Sequence, residues 1–154
     1  MTRSACFSVA LTGLLLASCL HLHRGRVEDV YFRAGKPERG TYNRLELAEV
    51  TVEKSLDETV LRRNAGYIFG LLDARYARER TISGTYLAVV RLKEDSILCD
   101  LETLNSVTLE IRLTRVDAEE PEVLYLFSEE TARSLSSTAY LYELIERAFR
   151  RIFP

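Results

Sequence analysis

The sequence predicts an α+β domain: a two-layer sandwich with two helices on one face of a four-stranded, mostly antiparallel sheet. Three observations carry that prediction. Residues 106–115, "SVTLEIRLTR", alternate without a fault: Val107, Leu109, Ile111 and Leu113 share one parity, and Thr108, Glu110, Arg112 and Thr114 the other. Two longer segments carry apolar residues at helical spacing instead, Leu61, Ala65, Ile68, Leu72, Tyr76 and Leu141, Ile145, Ala148, Ile152. The order of segments after residue 43 is strand, helix, three strands, helix.

The elements follow in chain order. Residues 44–55, "RLELAEVTVEKS", read as a strand in which Val50 and Val52 alternate with Glu49, Thr51 and Glu53. Leu45 and Leu47 fall on the opposite parity, which calls for a bulge or slip near Ala48. Ser55 and Glu58 have the Ser-x-x-Glu spacing of a capping box, so a helix is expected to start there, its stripe widened by Val60 and Leu71. Gly66 and Gly70, four residues apart, suit close packing of that helix on the sheet. A second strand spans 82–92 with Tyr86, Ala88, Val90 and Leu92 on one side, and "KEDS" (93–96) reads as the turn that ends it. Residues 97–105 fit no pattern. After the alternating strand at 106–115, "DAEEPE" (117–122) is a hairpin loop and "VLYLF" (123–127) the returning strand. The closing helix runs from Ser137 to Phe153, with Leu144 and Phe149 beside its stripe. Arg147, Arg150 and Arg151 gather in its last turns, where the helix dipole favours cations.

The chain has 154 residues, enough for one domain with a real core, and 47% are apolar and 29% charged. Basic and acidic residues are interleaved at a net charge of −2, and no Lys/Arg block is long enough to follow a phosphate backbone, which argues against a nucleic-acid partner.

The first 18 residues, "MTRSACFSVALTGLLLAS", differ in character from the rest. Arg3 precedes an apolar stretch from Ala5 to Leu16, and no acid appears before Glu28. A membrane-spanning helix needs roughly 20 apolar residues. A shorter apolar stretch behind a basic start has the pattern of a secretory signal peptide. "LASC", Leu16-Ala17-Ser18-Cys19, then resembles the lipobox of bacterial lipoproteins. That resemblance implies that residues 1–18 are removed by cleavage between Ser18 and Cys19. Cys19 would then carry an S-diacylglyceryl group and an N-acyl chain. The residues by themselves also fit an uncleaved anchor, or an ordinary signal with an incidental cysteine. Two or more acyl chains hold a protein to a bilayer stably, at about 0.8 kcal/mol per buried CH2.

On this reading 1–18 is a signal peptide, 19–43 a lipidated tether and 44–154 the α+β domain. Within the tether, Val30-Tyr31-Phe32 is a short apolar group able to add a strand or pack on the domain. His21 and His23 are the only histidines; with Cys19 lipidated, no free thiol and no carboxylate stands close to them in sequence, so they read as part of a solvated tether, not as metal ligands. Cys6 leaves with the signal and Cys19 is a thioether, so Cys99, in "SILCD", is the one remaining thiol and reads as a buried, inert one.

No catalytic constellation is legible. The domain contains no histidine to activate a Ser or Cys, and Glu119-Glu120 and Glu129-Glu130 read as solvated pairs in loops or at a helix start. The expectation is a protein with no enzymatic activity, no cofactor and no metal.

A lipidated cysteine, a tether, and strand, helix, three strands, helix together resemble the lipopolysaccharide-assembly lipoprotein family. The local likeness lies in "SVTLEIRLTRVDAEEPEVLYLFSEE" and in "CLHLHRG", where Arg24-Gly25 fit the family's run, the histidines are displaced and Leu20 replaces a glycine. The resemblance implies an envelope protein that works by protein–protein contact, with an outer-membrane β-barrel as partner in translocon assembly. The alternatives are a lipid-binding auxiliary lipoprotein of an envelope transporter, or a lipoprotein of another role. By the enterobacterial sorting rule, Leu20 after the cysteine implies the periplasmic face of the outer membrane, with the inner membrane or cell surface as alternatives.

Overall fold

A computed structural model describes residues 25–33, 44–53, 57–77, 85–99 and 102–153. The proposed signal peptide, Ser18, Cys19, His21, His23 and Ser55 lie outside them. Among the described residues there are seven elements: β1 (Arg26–Phe32), β2 (Arg44–Glu53), α1 (Glu58–Ala77), β3 (Thr85–Cys99), β4 (Glu102–Arg115), β5 (Val123–Thr131) and α2 (Thr138–Ile152). The strands form one mixed sheet in the order β1-β5-β4-β3-β2.

The α+β class with two helices on one sheet stands, but the sheet has five strands, not four. The fifth is β1, which ends in Val30-Tyr31-Phe32 and lies in the segment expected as tether. It pairs antiparallel with β5, from Arg26↔Glu129 to Phe32↔Val123. The sheet also has a parallel pairing, β2 with β3, because α1 carries the chain back to the end from which β2 started. The register slips between Leu47 and Glu49, so Leu45 and Val52 both reach the core despite their opposite parity, as the pattern around Ala48 requires.

Residues 93–96 do not turn. They continue β3, and Lys93 to Cys99 pair with Thr108 to Glu102 of β4. The charged run "KEDS" misleads because a long hairpin alternates polar residues on both faces once it passes the core.

The core is the space between one sheet face and the two helices. β4, the central strand, contributes Val107, Leu109, Ile111 and Leu113, all buried, between Tyr86, Ala88, Val90 and Leu92 of β3 and Val123, Tyr125 and Phe127 of β5. On α1 the buried stripe is Leu61, Ala65, Ile68, Phe69 and Leu72. Val60 and Leu71, expected to widen it, are exposed together with Tyr67. The stripe widens on the other side because α2 lies there. Phe69 meets Phe149 edge-on at a ring-centroid distance of 5.0 Å, and Tyr76 packs on Phe149 and Phe153. Gly66 brings α1 against Leu47, whose Cδ2 would lie 3.6 Å from an added Cβ; Gly70 faces open space and has no such role.

Asp57 caps α1. Its carboxylate accepts the Val60 N–H at 3.1 Å and its carbonyl the Leu61 N–H. Ser137 caps α2 through the Tyr140 N–H. All six apolar residues assigned to the inner side of α2 are buried.

Candidate functional site

Inward strand positions that carry acids are where the structure concentrates its polar contacts. Glu28 alternates with Val30 and Phe32, Glu94 follows Leu92, and Glu129 follows Phe127, each on the parity that faces the helices. Each receives a donor from a distant part of the chain. The Tyr125 hydroxyl donates to Glu28 (3.2 Å), the Leu135 N–H to Glu94 (2.9 Å), and the Tyr140 hydroxyl to Glu129 (2.5 Å). Burying a phenol requires such an acceptor.

Around Glu28 the charges converge further. Arg26 reaches it at 2.7 Å and Arg151 of α2 at 3.3 Å. Burial pushes the Glu28 carboxyl up, but the hydrogen bonds from Arg26 and Tyr125 and the Arg151 charge outweigh it, and the net direction is down. Burial, and then the Glu28 charge, push the Tyr125 hydroxyl up. Arg26 and Arg147 both stand over the Phe127 ring, at 5.3 and 5.1 Å. The buried Nη1 of Arg147 makes no hydrogen bond, so its contact with the ring face carries its placement. Arg133 covers the Tyr140 ring at 4.2 Å and bridges to Glu143 at 2.7 Å. At the opposite end of the sheet, Tyr86 donates to Glu122 at 2.8 Å, and burial followed by that carboxylate pushes its hydroxyl up to about 12.

These groups hold β1, β5 and α2 to one another. An anionic Glu28 fixed by two guanidinium groups is an acceptor, not a proton donor, at neutral pH. Among the described residues no group of three or more His, Cys, Asp or Glu side chains is arranged to hold a metal ion.

The positions singled out in the sequence are dispersed. Cys99 is the last residue of β3, paired with Glu102. Glu129 and Glu130 are in β5 rather than in a loop or helix start, and Glu119 and Glu120 are in the β4–β5 loop. Of the three arginines closing α2, Arg151 bridges to Glu28, Arg150 to Glu146 and Arg147 stands on Phe127. The sequence reading missed Glu28 and its partners, although an acid on the apolar parity of a strand was a visible signal.

The two ends of the sheet differ. Arg26, Glu129, Val107 and Glu94 form one row across it. Among the described residues, the last pairing of β2 is Glu53↔Lys93 and that of β5 is Thr131↔Asn105. β3 and β4 continue past these as a pair, Ile97↔Leu104 to Cys99↔Glu102. The start of β1 lies at this same end, since β1 runs against β5 and so against β3. The other end carries the acidic β4–β5 loop, with Asp117, Glu119, Glu120 and Glu122.

No described helix is long and apolar enough to cross a membrane. No family model matches the chain, and no curated protein matches it. Solved structures similar to it include the PelC dodecamer from Paraburkholderia phytofirmans, at 11% identity and a TM-score of 0.47, over 84% of this chain and 98% of that one. A variant of the same PelC aligns over the same shares at 12% identity and a TM-score of 0.47.

Proposed function

We propose that this chain is a lipid-anchored bacterial envelope protein, held to a membrane through Cys19 and acting by contact with other envelope proteins. The observation that carries this reading is the Leu16-Ala17-Ser18-Cys19 box, set behind a basic residue and about a dozen largely apolar ones. The position of β1 supports it: this strand starts at Arg26, seven positions after Cys19, so an anchor there would hold the domain close to the bilayer. The charged groups at the β1–α2 junction are engaged with one another, which suits a structural domain better than a catalytic one. A periplasmic-face location at the outer membrane, and a β-barrel of the lipopolysaccharide translocon as partner, are the finer form of the proposal.

Metabolic labelling with a radioactive fatty acid tests the anchor. The wild-type chain is expected to take up label and to begin at residue 19 by intact mass. The Cys19→Ser variant is expected to do neither. An unmodified thiol at position 19 with the first 18 residues attached overturns the reading. For the partner, affinity purification at native expression is expected to recover an outer-membrane barrel protein with the lipoprotein; recovery of the monomer alone overturns that part.

A further inference from the structure

We propose that the apolar tip of the β3–β4 ribbon, around Ile97 and Leu104, seats in the headgroup layer of the bilayer that holds Cys19, so that this end of the sheet faces the membrane. The inference rests on the lipid-anchor reading and adds to it an orientation and a second membrane contact.

Topology supplies the first argument. The ribbon and the start of β1 leave the sheet at the same end, so the chain from Cys19 arrives where the ribbon projects.

Reach supplies the second. From the row of Glu94 to Cys99 is five residues, which at about 3.3 Å each extends roughly 16 Å. β1 and β4 are two places apart in the sheet, a lateral offset of roughly 10 Å. The six residue-to-residue steps from Cys19 to Gly25 span at most about 21 Å. An anchor on so short a lead and a ribbon of that length can meet one plane, and the lead cannot lift the domain far from it.

The third argument is the chemistry of the tip. Ile97 and Leu104 are cross-strand partners on the outward parity, each partly exposed, and among the described residues no pairing of β2 or β5 reaches them. A two-stranded ribbon with partly exposed apolar side chains is a marginal arrangement on its own. A bilayer boundary removes that cost. Asp95 shares the outward parity and limits the depth: the ribbon enters the interface, not the hydrocarbon.

The chain contains no tryptophan, so one introduced residue reports alone. Full-length lipoproteins carrying Ile97→Trp, Leu104→Trp or, as the distal control, Ala118→Trp would be placed in phosphatidylcholine vesicles with and without lipid brominated near the headgroup. Intact mass would be measured on each preparation. The Ile97→Trp and Leu104→Trp variants are expected to emit further to the blue on vesicles and to lose about half their intensity to the brominated lipid, with the Ala118→Trp variant unaffected. The two ribbon variants read opposite strands, so a fold defect in one leaves the other informative. Lipidated, vesicle-bound protein with no quenching at either position overturns this inference and leaves the anchor standing. A blue shift that brominated lipid does not quench means the tip is covered by protein, and also overturns it. An unlipidated chain starting at Met1 overturns the anchor and the inference together.

Discussion

Glu28 is held from three directions, by Arg26 on its own strand, Tyr125 on the neighbouring strand and Arg151 on the second helix. Its carboxyl is depressed in the folded state relative to the unfolded value of about 4.3. The sign follows: the stabilisation is fully present above the unfolded value and is lost as pH falls through the lower, folded one. Glu28→Gln keeps the volume and removes the charge. It is expected to lose about 1–2 kcal/mol at pH 7, with the gap to wild type closing as acid protonates the native carboxylate, measured by urea denaturation across that range. Glu28 was legible as an oddity, an acid where alternation places an apolar residue. Its partners were not, because Tyr125 and Arg151 are about 100 and 120 residues away and nothing local couples them.

At the scale of elements, caps and periods were the readable part. The alternation of β4 and the stripe of α2 specify the buried faces because one face of each is dry. The start of α1 was placed two residues early, at Ser55, while Asp57 supplies the acceptor in the structure. Both residue types cap well, and only backbone geometry separates them. Asp57 accepts its N–H at 3.1 Å and adds a charge that suits the helix dipole, whereas Ser137 accepts at 3.4 Å. Asp57→Ala is therefore expected to cost about 1 kcal/mol by thermal denaturation, and Ser137→Ala less. The run "KEDS" went astray for a related reason: turn-type composition is a weak signal where a strand outlasts the core. The two faces of the sheet give a sharper contrast. Leu109→Ala, in the central strand beneath the helices, is expected to cost about 3 kcal/mol. Leu126→Ala, on the exposed face of β5, is expected to change stability by less than about 0.5 kcal/mol in the same denaturation experiment.

At the scale of the whole molecule, the fold class was legible and the strand order was not. Hydrophobic patterning states which side of a strand is buried but not which strand lies beside it, so the place of β1 at the far edge, four positions from β2, required the structure. That edge position has a consequence in time. Every pairing that β1 makes joins residues about 90 to 100 positions apart, and its partner β5 is the last strand of the chain. Were the chain exported as proposed, amino end first, β1 would be delivered at the outset, yet the slot that receives it exists only after residue 131 has emerged. The βαβ unit of β2, α1 and β3 closes over a much shorter loop and needs no such wait. On the proposed export route, completion of the sheet would be tied to completion of transit, and β1, the strand nearest the proposed anchor, would be the last to lock.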